Sequence, residues 1–108
     1  MMMTESDFND RVHDVIYAIE GRIEESGVNV DMESTGEKLT LRFNGGITIE
    51  VNPERPVRQI WIAADSAGYH FDFDDLANRW VNNANGEELF STLSRICTEQ
   101  AGKTVHLA

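Results

Sequence analysis

The sequence predicts an α+β two-layer sandwich, with an N-terminal and a C-terminal helix packed on one face of an antiparallel sheet of five to seven strands. Three observations lead there. Apolar residues recur at helical spacing only near the two ends of the chain. Between those ends they alternate with polar residues, the pattern of strands buried on one face. The alternating runs are separated by short turns, which favours consecutive antiparallel pairing over crossovers. At 108 residues the chain is predicted to form one domain, residues 1–108, large enough to bury roughly 60–70% of its unfolded surface.

From Thr4 to Glu25, the residues Phe8, Val12, Val15, Ile16, Ile19 and Ile23 recur at spacings of three and four. At about 100° per residue they form a single apolar stripe, and Gly27 supplies the helix stop. Val28, Val30 and Met32 then alternate with Asn29, Asp31 and Glu33, and Leu39, Leu41 and Phe43 with Lys38, Thr40 and Arg42. Asn44-Gly45-Gly46 is a hairpin signal leading to Ile47, Ile49 and Val51. A loop is expected across Pro53 and Pro56. The next strand points Ile60 and Ile62 one way and Gln59, Trp61 and Ala63 the other. A turn near Ser66 to Gly68 leads to Tyr69, Phe71 and Phe73 facing inward, with His70 and Asp72 outward. A short strand from Arg79 to Asn82 closes the sheet. Asn85 with Glu88 three residues later resembles a capping box that starts the second helix, whose apolar face is Leu89, Phe90, Leu93, Ile96, Cys97 and Ala101. Gly102 ends it.

Composition excludes several classes. A lone Cys97 rules out an internal disulfide, and it lies on an apolar helix face where an inert buried thiol is expected. The N-terminus lacks the basic and apolar segments of a secretory signal, so a cytoplasmic location is expected. No apolar run approaches the roughly 20 residues that span a bilayer. A formal charge of −10 disfavours nucleic acid and anionic lipid as partners.

That charge is segregated. From Met1 to Glu37 ten acids face only Arg11 and Arg22, a local charge of −8, whereas Lys38 to Ala108 carries −2. Asp7, Asp10, Asp14, Glu24 and Glu25 fall on the helix side opposite the apolar stripe. Asp10 and Asp14 are one turn apart, as are Glu20 and Glu24, so each pair can offer oxygens to one exposed ion without enclosing it. Carboxylates are hard donors suited to Fe²⁺, Fe³⁺, other divalent ions and lanthanides, and no zinc-type Cys/His set is present. Asp10, Asp14, Glu20 and Glu24 are therefore read as cation-binding positions on this face. His13, beside Asp10 and Tyr17, is either a further nitrogen donor or a solvated helix histidine. Each carboxylate taken singly reads equally well as part of a solubilising face.

The second feature is Trp61 on the open sheet face beside Gln59, with Arg42 and His70 on neighbouring strands. Tryptophan is a preferred interface anchor, so Gln59, Trp61, Arg42 and His70 are read as a partner surface. Glu20, Glu24 and Glu25 join it as electrostatic contacts. His106 is assigned no role.

Pro56-Val57-Arg58-Gln59-Ile60-Trp61-Ile62, followed by Gly68-Tyr69-His70-Phe71-Asp72 and then Gly86-Glu87-x-Leu89-Phe90, resembles the frataxin family, in particular its bacterial CyaY branch. The resemblance covers nearly the whole chain. It implies an iron-binding regulator and adaptor of iron–sulfur cluster assembly that binds iron weakly on an acidic ridge and docks on a cysteine desulfurase and its scaffold protein. The ridge positions that match are Asp7, Glu20, Glu24, Glu25, Asp31 and Glu33. Asp10 and Asp14 extend the ridge, while Gly21 and Asn29 stand where relatives often carry further acids. The same resemblance implies that Val105 and Leu107 pack between the helices. Catalysis lacks support: there is no phosphate loop or nucleophile motif, and the carboxylates lie on a convex helix. The expectation is therefore a monomeric non-enzyme. The alternatives are a ferroxidase or iron store acting through iron-loaded oligomers, and an acidic interaction module unrelated to iron.

Overall fold

The computed structural model describes residues 3–35, 38–65 and 67–107. Helix α1 (Glu5–Ser26) begins at Thr4, whose hydroxyl oxygen accepts from the Asp7 N–H at 3.1 Å, while the Asp7 carboxylate accepts from the Thr4 N–H at 3.4 Å. This reciprocal pair satisfies two amide donors that a helix start leaves orphaned. The helix stops at Gly27, which adopts φ 71° and donates its N–H to the Glu24 carbonyl, a left-handed cap that a side chain would strain. The six residues of the apolar stripe are all buried.

The sheet has six strands in chain order, each antiparallel to the next. They are β1 (Val30–Ser34), β2 (Leu39–Phe43), β3 (Thr48–Glu54), β4 (Gln59–Ala64), β5 (Ala67–Asp74) and β6 (Arg79–Asn82), followed by α2 (Leu89–Ala101). The two-layer arrangement expected from the alternation is thus observed, with Leu39, Leu41, Ile49, Val51, Ile60, Ile62 and Phe71 buried on the inner face. In the β2–β3 hairpin Gly45 and Gly46 hold φ 100° and 88°, and the Phe43 N–H reaches the Ile47 carbonyl at 2.9 Å.

Three local expectations are corrected. Pro53 lies inside β3, opposite Ile60, and only Pro56 belongs to the connection, a 3-10 turn over Arg55–Val57. Near the end of its strand, Pro53 costs little pairing. Gly68 pairs with Ala63 within β5, so the β4–β5 turn shrinks to Asp65, at φ 54°, and Ser66, which lies outside the described residues. Helix α2 starts at Leu89 rather than after Asn85. Its cap is Glu88, whose carboxylate accepts from the Phe90 and Ser91 N–H groups at 2.9 and 3.2 Å. Asn85 instead accepts from the Glu87 N–H in the preceding loop.

Phe8 and Trp80 meet edge to face at 6.0 Å, and Phe73 meets Trp80 at 5.2 Å, joining α1 to the last two strands. Cys97 is fully buried and burial pushes its thiol up to about 11, as expected for an inert core cysteine. The tail closes the helix layer as anticipated. Val105 and Leu107 are buried; the Val105 N–H donates to the Thr98 hydroxyl at 2.9 Å and the Leu107 N–H to the Ser94 hydroxyl at 2.8 Å. The Leu107 carbonyl accepts from Arg22 of α1 at 2.7 Å.

Gly21, midway through α1, is exposed, and a methyl group added there would meet nothing within 4 Å. Gly21→Ala should therefore stabilise the fold by about 1 kcal/mol, raising Tm by roughly 4–8 °C. A thermal melt with an unchanged or lowered midpoint would show that this glycine serves the backbone.

Candidate functional site: an acidic helix face and an aromatic sheet face

The acidic residues are spread along α1 and β1, and the structure separates them into groups. Asp10, His13 and Glu24 are exposed on the outer side of α1, while Glu20 is half-buried on its flank. Glu20 and Glu24 border a shallow depression together with Tyr17, which is 80% exposed. Glu25 also faces the tail, where it shares a hollow with Arg22 and His106. Asp7 spends one carboxylate oxygen on the helix cap. Asp14, also exposed, lines a cleft with Arg11 and Arg22, because its helical angle places it between the outer face and the arginine flank. On β1, Asp31 and Glu33 are exposed.

Among the described residues no group of three His, Cys, Asp or Glu side chains gathers closely enough to hold a metal ion. The chemistry this permits is a largely hydrated hard cation held by one or two carboxylates, with fast exchange and strong screening by salt.

Arg42, expected on the partner surface, is exposed on the open face and pairs with Glu33 at 3.3 Å on the β1–β2 side of the sheet. Beside it Lys38 pairs with Glu50. These two pairs flank Thr40, which is buried although its strand position points it to the open face.

The open face around Trp61 is more ordered than alternation alone could indicate. Trp61 lies opposite His70 on β5 and Asn52 on β3. The Trp61 and His70 rings stack at 4.3 Å with 9° between planes. The indole N–H donates to the Gln59 side-chain oxygen at 2.7 Å, and the Gln59 amide donates to Asp72 at 2.9 Å. Every polar atom of this row therefore has a partner or faces water, and Trp61 is held at one angle rather than folded into a core. Asn52 escaped the sequence reading. Its signal was available, since Ile49 and Val51 fix the inward positions of β3 and leave Asn52 outward beside Trp61.

A two-helix layer on a six-stranded antiparallel meander, with carboxylates on the first helix and a stacked tryptophan on the free sheet face, defines a two-layer α+β domain with two distinct exposed surfaces. The chain belongs to the frataxin-like domain family, whose model matches residues 1–103. It is 39% identical over 102 residues to the iron–sulfur cluster assembly protein CyaY of Ectopseudomonas mendocina, covering 94% of this chain and 93% of the relative. It is 40% identical over 106 residues to the CyaY of Paraburkholderia phymatum, covering 98% and 99%. Among solved structures, frataxin from Psychromonas ingrahamii, of the CyaY family, superposes with a TM-score of 0.91 at 31% identity, covering 98% of this chain and 99% of the other. Trimeric yeast frataxin in a ferrous complex superposes with a TM-score of 0.66 at 25% identity, covering 95% and 90%.

Proposed function

We propose that this chain acts in iron–sulfur cluster assembly as a non-enzymatic adaptor and regulator in the cytoplasm. Its α1–β1 carboxylates bind iron weakly and dock on a basic surface of a cysteine desulfurase, while Trp61 anchors the scaffold protein. The observation that carries the reading is the near-full-length similarity to proteins named for iron–sulfur cluster assembly. The charge of −8 over Met1–Glu37 and the two distinct faces of the domain are consistent with it. Hard oxygen donors without an enclosing triad suit iron as a labile cargo.

The deciding experiment follows backbone amide shifts of labelled protein during separate titrations with Fe²⁺ and with purified cysteine desulfurase. Shifts confined to Asp7–Glu33 with both ligands support a shared ridge; shifts with neither sink it. The similarity to a trimeric yeast frataxin in a ferrous complex favours a second reading, iron-driven oligomers with ferroxidase activity. Gel filtration with oxygen measurement after Fe²⁺ addition separates the two, because the adaptor reading expects neither assembly nor oxygen uptake.

Trp61→Arg should leave the circular dichroism spectrum native, since the ring stands on the open face, and weaken the ternary complex with desulfurase and scaffold by roughly thirtyfold, the loss expected of a tryptophan hot spot. Loss of the folded spectrum would place Trp61 in the core instead.

A further inference from the structure

On the other flank of α1 from Glu20 lies a cleft of about 430 Å³, bounded by α1, the β5–β6 end of the sheet and the start of α2. It gathers three guanidinium groups in a chain of net charge −10. Arg11 lies over the Phe73 ring at 4.9 Å, and Arg22 lies over the Phe90 ring at 3.9 Å. Arg79 reaches the cleft from β6 and makes no side-chain hydrogen bond or ion pair among the described residues. Arg11 and Arg22 are the only Lys or Arg residues before Lys38, and both reach this cleft.

We propose that this cleft is a docking groove for an extended acidic peptide segment of a partner protein. Stacking on an aromatic face holds a guanidinium flat; Arg11 keeps its N–H edge for a carboxylate to grip in two places, while Arg22, with one N–H on the Leu107 carbonyl at 2.7 Å, offers its remaining N–H groups to the second acid. Arg11 and Arg22 are three helical turns apart, about 16 Å at the helical rise, too far for one small anion to bridge. An extended peptide covers that distance in about five residues. Between the two ends the groove carries Asp14 and the Glu88 carboxylate, the latter committed to the α2 cap. Its middle therefore repels an acid and offers Val15 and Trp80 as apolar floor. The favoured sequence is an acid, an apolar stretch, and a second acid about five positions on. The acidic surroundings repel the same peptide everywhere else, which fixes its register.

The test is fluorescence anisotropy of the full chain with a labelled hexapeptide, Asp-Leu-Gly-Ala-Leu-Asp, and its isomer Leu-Gly-Asp-Asp-Ala-Leu, at low salt. The first should bind about tenfold tighter than the second, with amide shifts at Arg11, Arg22, Asn78 and Phe90. Arg79→Gln, at an exposed side chain without hydrogen-bond or ion-pair partners among the described residues, should weaken binding about fivefold with an unchanged melting curve, and the Arg11→Gln/Arg22→Gln double variant should abolish it. Equal affinity of the two isomers, no saturation at millimolar peptide, wild-type binding by Arg79→Gln, or full displacement by inorganic phosphate at constant ionic strength would each overturn the groove.

Discussion

Lysine at Glu20, Glu24 and Glu25 together will abolish binding to cysteine desulfurase and leave the fold intact. The three residues occupy the C-terminal half of α1, and their replacement changes the local charge by six units. Opposed like charges across an interface cost several kcal/mol, so the affinity should fall at least about a hundredfold. Stability should hold for three reasons: glutamate and lysine have similar helix propensities, none of the three belongs to the buried stripe, and lysine near a helix C-terminus interacts favourably with the dipole. The corresponding glutamines should give an intermediate loss and a flatter dependence on salt, because screening over about 8 Å near 0.15 M weakens what charge remains. A pull-down in which the lysine variant binds like the wild type would remove the ridge from the docking model.

The largest effect on stability is expected from Phe8→Ala. Phe8 is 0% exposed and, through its edge contact with Trp80, fastens the first turns of α1 to the last strand. Truncation leaves a cavity that rigid neighbours fill poorly, at a cost of about 3–5 kcal/mol. Set against a total of roughly 5–15 kcal/mol for a domain, that removes much of the margin. Urea unfolding should show a much lower midpoint with an unchanged slope. A loss below about 1 kcal/mol would mean that the α1–β6 junction closes over the gap.

Most of the fold was legible because each element carries its own period: α1 through Phe8 to Ile23, the strands through alternation, the β2–β3 hairpin through Asn44-Gly45-Gly46. What was missed depends on partners distant in sequence or on competing local chemistry. Asn85 and Glu88 both have cap-forming side chains, and spacing cannot decide between them; the structure gives the cap to Glu88 and the loop to Asn85. Alternation placed Trp61 and His70 on one face but could not show that their rings stack. The position of Asp14 among arginines was illegible because Arg11 is held by Phe73, 62 positions later in the chain. Arg42 illustrates the same limit, since its pairing with Glu33 follows from the β1–β2 register.

Strand β1 is an edge of the sheet, hydrogen-bonded to β2 alone. Such an edge can template another chain, and aggregation by strand addition is the usual hazard. Here Asp31 and Glu33 project from it into solvent. A second copy adding its own β1 would bring like carboxylates within reach across the new ladder, where they repel. The carboxylates of β1, Asp31 alone and Glu33 with Arg42 beside it, thus make this edge a poor template for a second copy and favour a dispersed protein.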